Sequence, residues 1–293
     1  MRSGLNLDEM DLYAGIADAR LQVDEFHFGR GIALSRTFAH LSAPFLAGFL
    51  PRPARYLGDA AVFEPKSFDI LAQLHIPEDA VPLEGLDRLN TVWWLALLLR
   101  LRTTPHLSVV GLSSEPFGGD PRAWRGAGFW PVEAEPRRVE LAPGARGEIT
   151  REDLEWVARC WIPAGRLMRE REDLHKAVRN FDRSCFAPGP ADALQLLWAS
   201  LASLFLPDEE DDGSRLISNL ATFLEIPAAE RAAFLDSATD LLDARLASLE
   251  GAIGDLEEPV ARTCGLVRQT LTRIFDNGYV PTIPELEAGL QAH

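Results

Sequence analysis

The sequence predicts an α+β domain followed by an all-α helical bundle. Three observations carry that prediction. Up to about residue 145, short β-like runs broken by Gly and Pro surround one dense apolar helix; "APGARGE" at 142–148 has the composition of a linker; from Thr150 onward apolar residues recur at helical spacing. A chain of 293 residues with 47% hydrophobic content can bury two ordinary cores, here assigned to 1–145 and 150–293.

In the first half, "FHFGRGIALSRTF" at 26–38, "LSVVGL" at 107–112 and "WPVEAEPRRVEL" at 130–141 read as strands interrupted by Gly and Pro. The run "LDRLNTVWWLALLLRLR" at 86–102 has the length and apolar density of a buried helix, with Trp93 and Trp94 in its core. Between them, "EPFGGDPRAWRGAG" at 115–128 spaces Pro and Gly as a surface loop does, and carries Trp124 as an exposed or clamped aromatic.

The second half is helical by pattern. Thr150 is placed to cap "REDLEWVARCWIPAGRL", and "REREDLHKAVRNFDRS" is amphipathic. "GPADALQLLWASLASLFL" at 189–206 is the strongest buried helix; "DGSRLISNLATFLE" follows the acidic loop "DEEDD". Pro227 opens the helix from 228 to about 250, and a last long helix from about 257 ends where Asn277 and Gly278 supply a C-cap before Pro281. A short helix at "TIPELEAGL" closes the chain.

Charge narrows the function classes. The net charge is −15, which opposes phosphate binding driven by Lys and Arg, yet residues 205–258 alone hold fourteen acidic residues against three arginines. Residues 166–183 carry six basic and four acidic side chains, a stretch that could face a phosphate backbone or simply form a charged helix surface. Cys160, Cys185 and Cys264 are far apart in sequence and match no metal or redox spacing. His27 and His40 flank a strand-like run, His75 and His106 sit near turns, His293 is a tail, and none has HExxH spacing. "FGRGIA" lacks a phosphate-binding glycine pattern, "DEEDD" lacks the alternation of a calcium loop, and no serine sits in a nucleophile elbow. No metal or cofactor is therefore expected. The first residues lack the apolar core of a signal peptide and "VWWLALLLRL" is too short to span a bilayer, so a cytoplasmic protein with no membrane segment is expected.

The anomaly lies at "LLDARLASLEG", 241–251. On a helix, Phe234, Ala238, Leu241, Leu242 and Leu249 share one side, and Arg245 falls within that stripe. A guanidinium there must be offset by an acid or a bound anion, since it does not deprotonate. Glu250 or Asp243 could serve; Glu250 converges on Arg245 only if the helix ends there, which Gly251 would permit.

This line resembles the Arg-x4-His-Gly motif of Apea-type HEPN domains. "LLWASLASLFLPDEEDD", "RLISNLATFLE" and "VRQTLTRIFDNGYVPTIPELEAGL" resemble, in order, that family's preceding helix with its acidic loop, its next helix, and its closing helix with a Gly-x-x-Pro tail. The resemblance covers some 120 residues from about 170 to 290 and implies an all-α HEPN-like helical bundle that pairs as a homodimer. It also implies metal-independent RNA cleavage, with Arg stabilising phosphoryl charge and His moving the proton. Arg245 takes the arginine position and Glu250 the histidine position; Leu246 stands where the family has a small polar residue, and Ala202 where it has a glutamate.

A glutamate with an ordinary pKa near 4.3 is ionised at neutral pH and a poor proton donor, and its charge repels phosphate. The resemblance therefore implies a HEPN protein of a bacterial defence or stress system whose RNase chemistry has decayed. Such a scaffold would bind RNA, a nucleotide or a protein partner, with the N-terminal half as a sensor or partner-recognition domain. Two alternatives stand beside it. One is an active endoribonuclease using Arg245 with Glu250, or with His175 of an earlier helix; the other is an assembly protein with no RNA role.

Overall fold

A computed structural model describes residues 10–47, 66–80, 83, 85–118, 128–133, 139–142, 147–206, 213–251 and 254–291. These fall into two compact units, one within Met1–Pro136 and Ala145–Trp161, the other within Arg137–Gly144 and Ile162–His293. The first is sheet-rich and the second helical. The break was expected at 145–150; the units divide instead between Trp161 and Ile162, inside a helix.

The first unit holds strands β1 (Leu12–Ala17), β2 (Ala19–Leu21), β3 (Glu25–Gly29), β4 (Ile32–Leu41), β5 (Phe68–Ile76), β6 (Ser108–Ser113), β7 (Phe129–Pro131) and β8 (Gly147–Ile149), with helices α1 (Ala43–Ala47) and α2 (Arg88–Arg102). Six strands form one antiparallel sheet in the order β3-β4-β5-β1-β6-β7, while β2 and β8 pair in parallel. "FGRGIA" is the β3–β4 hairpin: Gly29, Arg30 and Gly31 all take positive φ, at 88°, 55° and 81°, which is why glycine brackets this turn.

Central β1 pairs with β5 through Tyr13 and His75 and with β6 through Tyr13 and Ser113. At Gly15 a Cβ would lie 2.5 Å from Ile70 Cδ1 and 3.1 Å from Phe117, so any side chain there would force Ile70 to shift. Strand β5 alternates buried Phe68, Ile70, Ala72, Leu74 and Ile76 with more exposed residues, the period-2 signature of a one-sided sheet. His75 lies near the end of β5, shortly before the turn at Glu78–Asp79; its ring stacks on Tyr13 at 4.4 Å and its Nε2 is 3.1 Å from Asp11 Oδ2. Asp11 also accepts the Glu78 N–H at 2.9 Å, and that bond does most to hold its carboxyl below the ordinary value.

Helix α2 starts at Asp87, whose carboxylate accepts the Asn90 N–H at 2.7 Å, an N-cap the sequence provides. Trp94 is fully buried while Trp93 is half-buried. Near its end Arg100, completely buried, donates to Glu133 and, at 2.9 Å, to the Leu107 carbonyl; Glu133 also accepts the Val109 N–H at 2.7 Å.

Of the expected strand at 130–141, the described residues pair as a strand at Phe129–Pro131; Val132 and Glu133 still donate to β6, residues 139–142 form no strand, and 134–138 lie outside the described residues. Trp124, most of the 115–128 loop, residues 143–146, the "DEEDD" run and His293 lie outside the described residues.

Helix α3 (Arg151–Glu170) opens on a reciprocal capping box: Asp153 N–H donates to Thr150 Oγ1 at 3.2 Å, and Thr150 N–H donates to Asp153 at 3.0 Å. Its Trp161 donates from Nε1 to the Phe28 carbonyl and accepts at its own carbonyl from Trp94 Nε1, at 3.2 and 2.8 Å.

The second unit contains α4 (Glu172–Ser184), α5 (Pro190–Phe205), α6 (Ser214–Phe223), α7 (Ala228–Leu249), α8 (Glu257–Asn277) and α9 (Ile283–Gln291). Helix α5 is central, packing against α4, α6, α7 and α8, as its apolar length suggested. Helix α8 ends at Asn277 with Gly278 as C-cap at φ 64°. Helix α9 opens on a Thr282–Glu285 box, and Arg171 reaches the Val280 carbonyl at 2.9 Å. Among the described residues no helix is long and apolar enough to cross a membrane.

Candidate functional site

Helix α7 buries little of itself. Ala238, Leu241 and Leu242 are buried, but Leu249, placed by the sequence on the same apolar side, is 60% exposed. Arg245 stands between these regimes, half-buried one turn beyond Leu241.

Its partner is an amide. Arg245 Nε donates to Gln195 Oε1 at 2.9 Å, and Gln195 Nε2 donates to the Arg245 carbonyl at 3.2 Å and to Ser248 Oγ at 3.1 Å. Ser248 Oγ donates in turn to the Arg245 carbonyl at 2.7 Å. This clamp ties α7 to α5 and orients the guanidinium without neutralising it. Among the described residues no carboxylate lies within ion-pair distance of Arg245, and burial pushes its pKa below the usual value. It remains a cation at neutral pH.

Glu250 does not join it. The helix ends as Gly251 allowed, with Gly251 at φ 77°, yet Glu250 is the exposed C-cap residue; its N–H bonds back to Leu246 and Ser248, and its carboxylate makes no bond to Arg245. The expected convergence of Arg245 and Glu250 fails because residues five apart on a helix face different directions and capping here adds no bend that reunites them. His175, the other acid–base candidate, is exposed on α4 and does not line the recess at Arg245. Asp243 is exposed and likewise unpaired with Arg245.

Arg245 instead borders a recess of about 350 Å³. Among the described residues, Trp198 and Ala202 of α5, Leu216 of α6, Leu242 and Leu246 of α7, and Leu206 and Gly213 line it beside Arg245. Three positions that the family resemblance aligned, Ala202, Arg245 and Leu246, meet here; Glu250 is not among them. Trp198 is 2% exposed and its indole N–H has no hydrogen-bond partner among the described residues, an uncommon state for a buried donor.

Sequence reasoning missed Gln195 and Trp198. A glutamine on an apolar helix was the available signal for the first; its meaning depends on a residue fifty positions away. Trp198 carries no pattern of its own that separates a recess wall from ordinary core.

The arrangement offers one oriented cation in an apolar, partly desolvated setting, and among the described lining residues none is a His, Asp or Glu that could carry a proton. Such a site can bind an anion. Among the described residues no group of three or more His, Cys, Asp and Glu is placed to hold a metal ion. Comparison with protein-family models, curated proteins and solved structures finds no match for this chain.

Proposed function

We propose that this chain is a HEPN-like scaffold of a bacterial defence or stress system, without working RNase chemistry, that holds an anionic partner through Arg245 and acts as a dimer. The observation carrying the reading is that Arg245 is half-buried beside a recess and partnered by neutral Gln195 instead of a carboxylate. A purely structural arginine would be expected to close on an acid, because an unpaired, partly desolvated cation is costly. Exposed Glu250 in the position of the family's histidine favours a non-catalytic scaffold over an active nuclease.

The test is cleavage of a mixed RNA pool in EDTA, and binding of that pool, of inorganic phosphate and of a small carboxylate, by the parent, Arg245→Ala and Glu250→His. The reading expects no cleavage by the parent and anion binding that Arg245→Ala weakens and salt screens. Arg245-dependent cleavage by the parent would overturn it, as would the absence of any Arg245-dependent anion binding. Sedimentation at several concentrations tests the dimer; a strict monomer removes that part.

A further inference from the structure

The recess has the build of a small-molecule site. Ligand pockets of roughly 300–1,000 Å³ are walled mainly by apolar and aromatic side chains, with a few placed polar groups that fix orientation. This one, at about 350 Å³, is lined among the described residues by Trp198, Ala202, Leu216, Leu242 and Leu246, with Arg245 as the charged group. The guanidinium is held from behind: its Nε is occupied by Gln195, and none of the hydrogen bonds seen among the described residues uses its terminal Nη groups. Those are the atoms that engage a carboxylate fork to fork.

The surrounding charge selects the size of the anion. Asp236, Asp240, Asp243 and Glu250 are all exposed on α7 or at its end. Among the described residues that line the recess, Arg245 is the one cation. A polyanion would meet repulsion along its length, whereas a ligand with one charge and an uncharged body meets the cation and the apolar wall.

From this we propose that the recess binds a small monocarboxylate with an apolar body, of the medium-chain fatty-acid type, its carboxylate on Arg245 and its chain against Trp198, Leu216 and Leu242. The inference rests on the reading of Arg245 as an anion contact and narrows it from anions in general to one chemical class.

The experiment is calorimetric titration of the full chain with octanoate, beside octan-1-ol, inorganic phosphate and a short single-stranded RNA. Octanoate is expected to bind more tightly than the alcohol or phosphate. Arg245→Met, which keeps the apolar stem, should weaken octanoate roughly tenfold or more, the loss of a charge-assisted bond, while Arg245→Lys retains part of it. Ala202→Leu, which fills the recess from a half-buried position without touching the charge, should weaken octanoate and leave phosphate unchanged; circular dichroism checks that each variant is folded. Octanoate binding that is absent, or indifferent to both Arg245→Met and Ala202→Leu, overturns the proposal. If RNA binds through Arg245 while octanoate does not, this inference fails and the anion-contact reading stands; if no anion depends on Arg245, both fail.

Discussion

Gln195 grips Arg245 at two points, accepting from its Nε at 2.9 Å and donating to its carbonyl at 3.2 Å, so one amide side chain both locks the end of α7 onto α5 and aims a cation. A neutral partner has a specific consequence. Gln195→Leu should lower stability by about 1–3 kcal/mol through the polar groups it leaves unpaired, read as a shift of the urea midpoint. Gln195→Glu should keep the fold but place a carboxylate against the guanidinium, and Arg245-dependent anion binding should fall sharply.

Arg100 and Glu133 form the buried ion pair of the sheet-rich unit. Glu133→Leu removes the carboxylate that accepts from both the fully buried Arg100 and the Val109 N–H, and should destabilise by about 3–5 kcal/mol. Pairing it with Arg100→Met should recover part of that loss, a non-additivity that chemical denaturation of the two single variants and the double variant would measure.

Glu285 provides a pH handle on α9. The Tyr279 hydroxyl first, then the N–H and hydroxyl of Thr282, hold its carboxyl down from 4.5 to about 2. Because the folded value is depressed, the stability it contributes is present above pH 4.5 and lost as the pH falls toward 2. The stability difference between the parent and Glu285→Gln should therefore be constant near neutrality and shrink across that window in acid titrations.

All three cysteines are buried and outside any disulfide, and burial, with Cys185 nearby, pushes the Cys264 thiol up to about 12. Thiolate is the reactive form, so Cys264 should resist alkylation at pH 8 in the native protein and react once unfolded. Mass spectrometry after iodoacetamide treatment, with and without guanidinium, checks this; rapid native labelling of Cys264 would contradict the packing of α8.

The helical half was readable because several of its helices carry their own punctuation: Thr150, Pro227, and Asn277 with Gly278 mark ends that tertiary packing leaves in place. The sheet was read less fully. Strand β5, "FDILAQLHI", has a clean period of two, and β1 and β5 went unassigned although they form the centre of the sheet; β2 and β8 are three residues each and have no signal apart from one another. Arg245 stood out as a charge on an apolar stripe, a local violation visible in one dimension. Gln195, Trp198 and Leu216 belong to the site only because three helices converge, and the failure of Glu250 to reach Arg245 depends on how one helix terminates.

The parallel pairing of β2 with β8 also sets a timetable for synthesis. Arg20 is registered opposite Glu148, and Trp161 donates to the Phe28 carbonyl, so strands made first must wait for residues translated more than a hundred positions later. The sheet-rich unit cannot close on the ribosome until α3 has begun to emerge. A nascent chain halted at residue 145 should remain protease-sensitive, while one extended past Trp161 by enough residues to clear the exit tunnel acquires its last strand and its two tryptophan hydrogen bonds together.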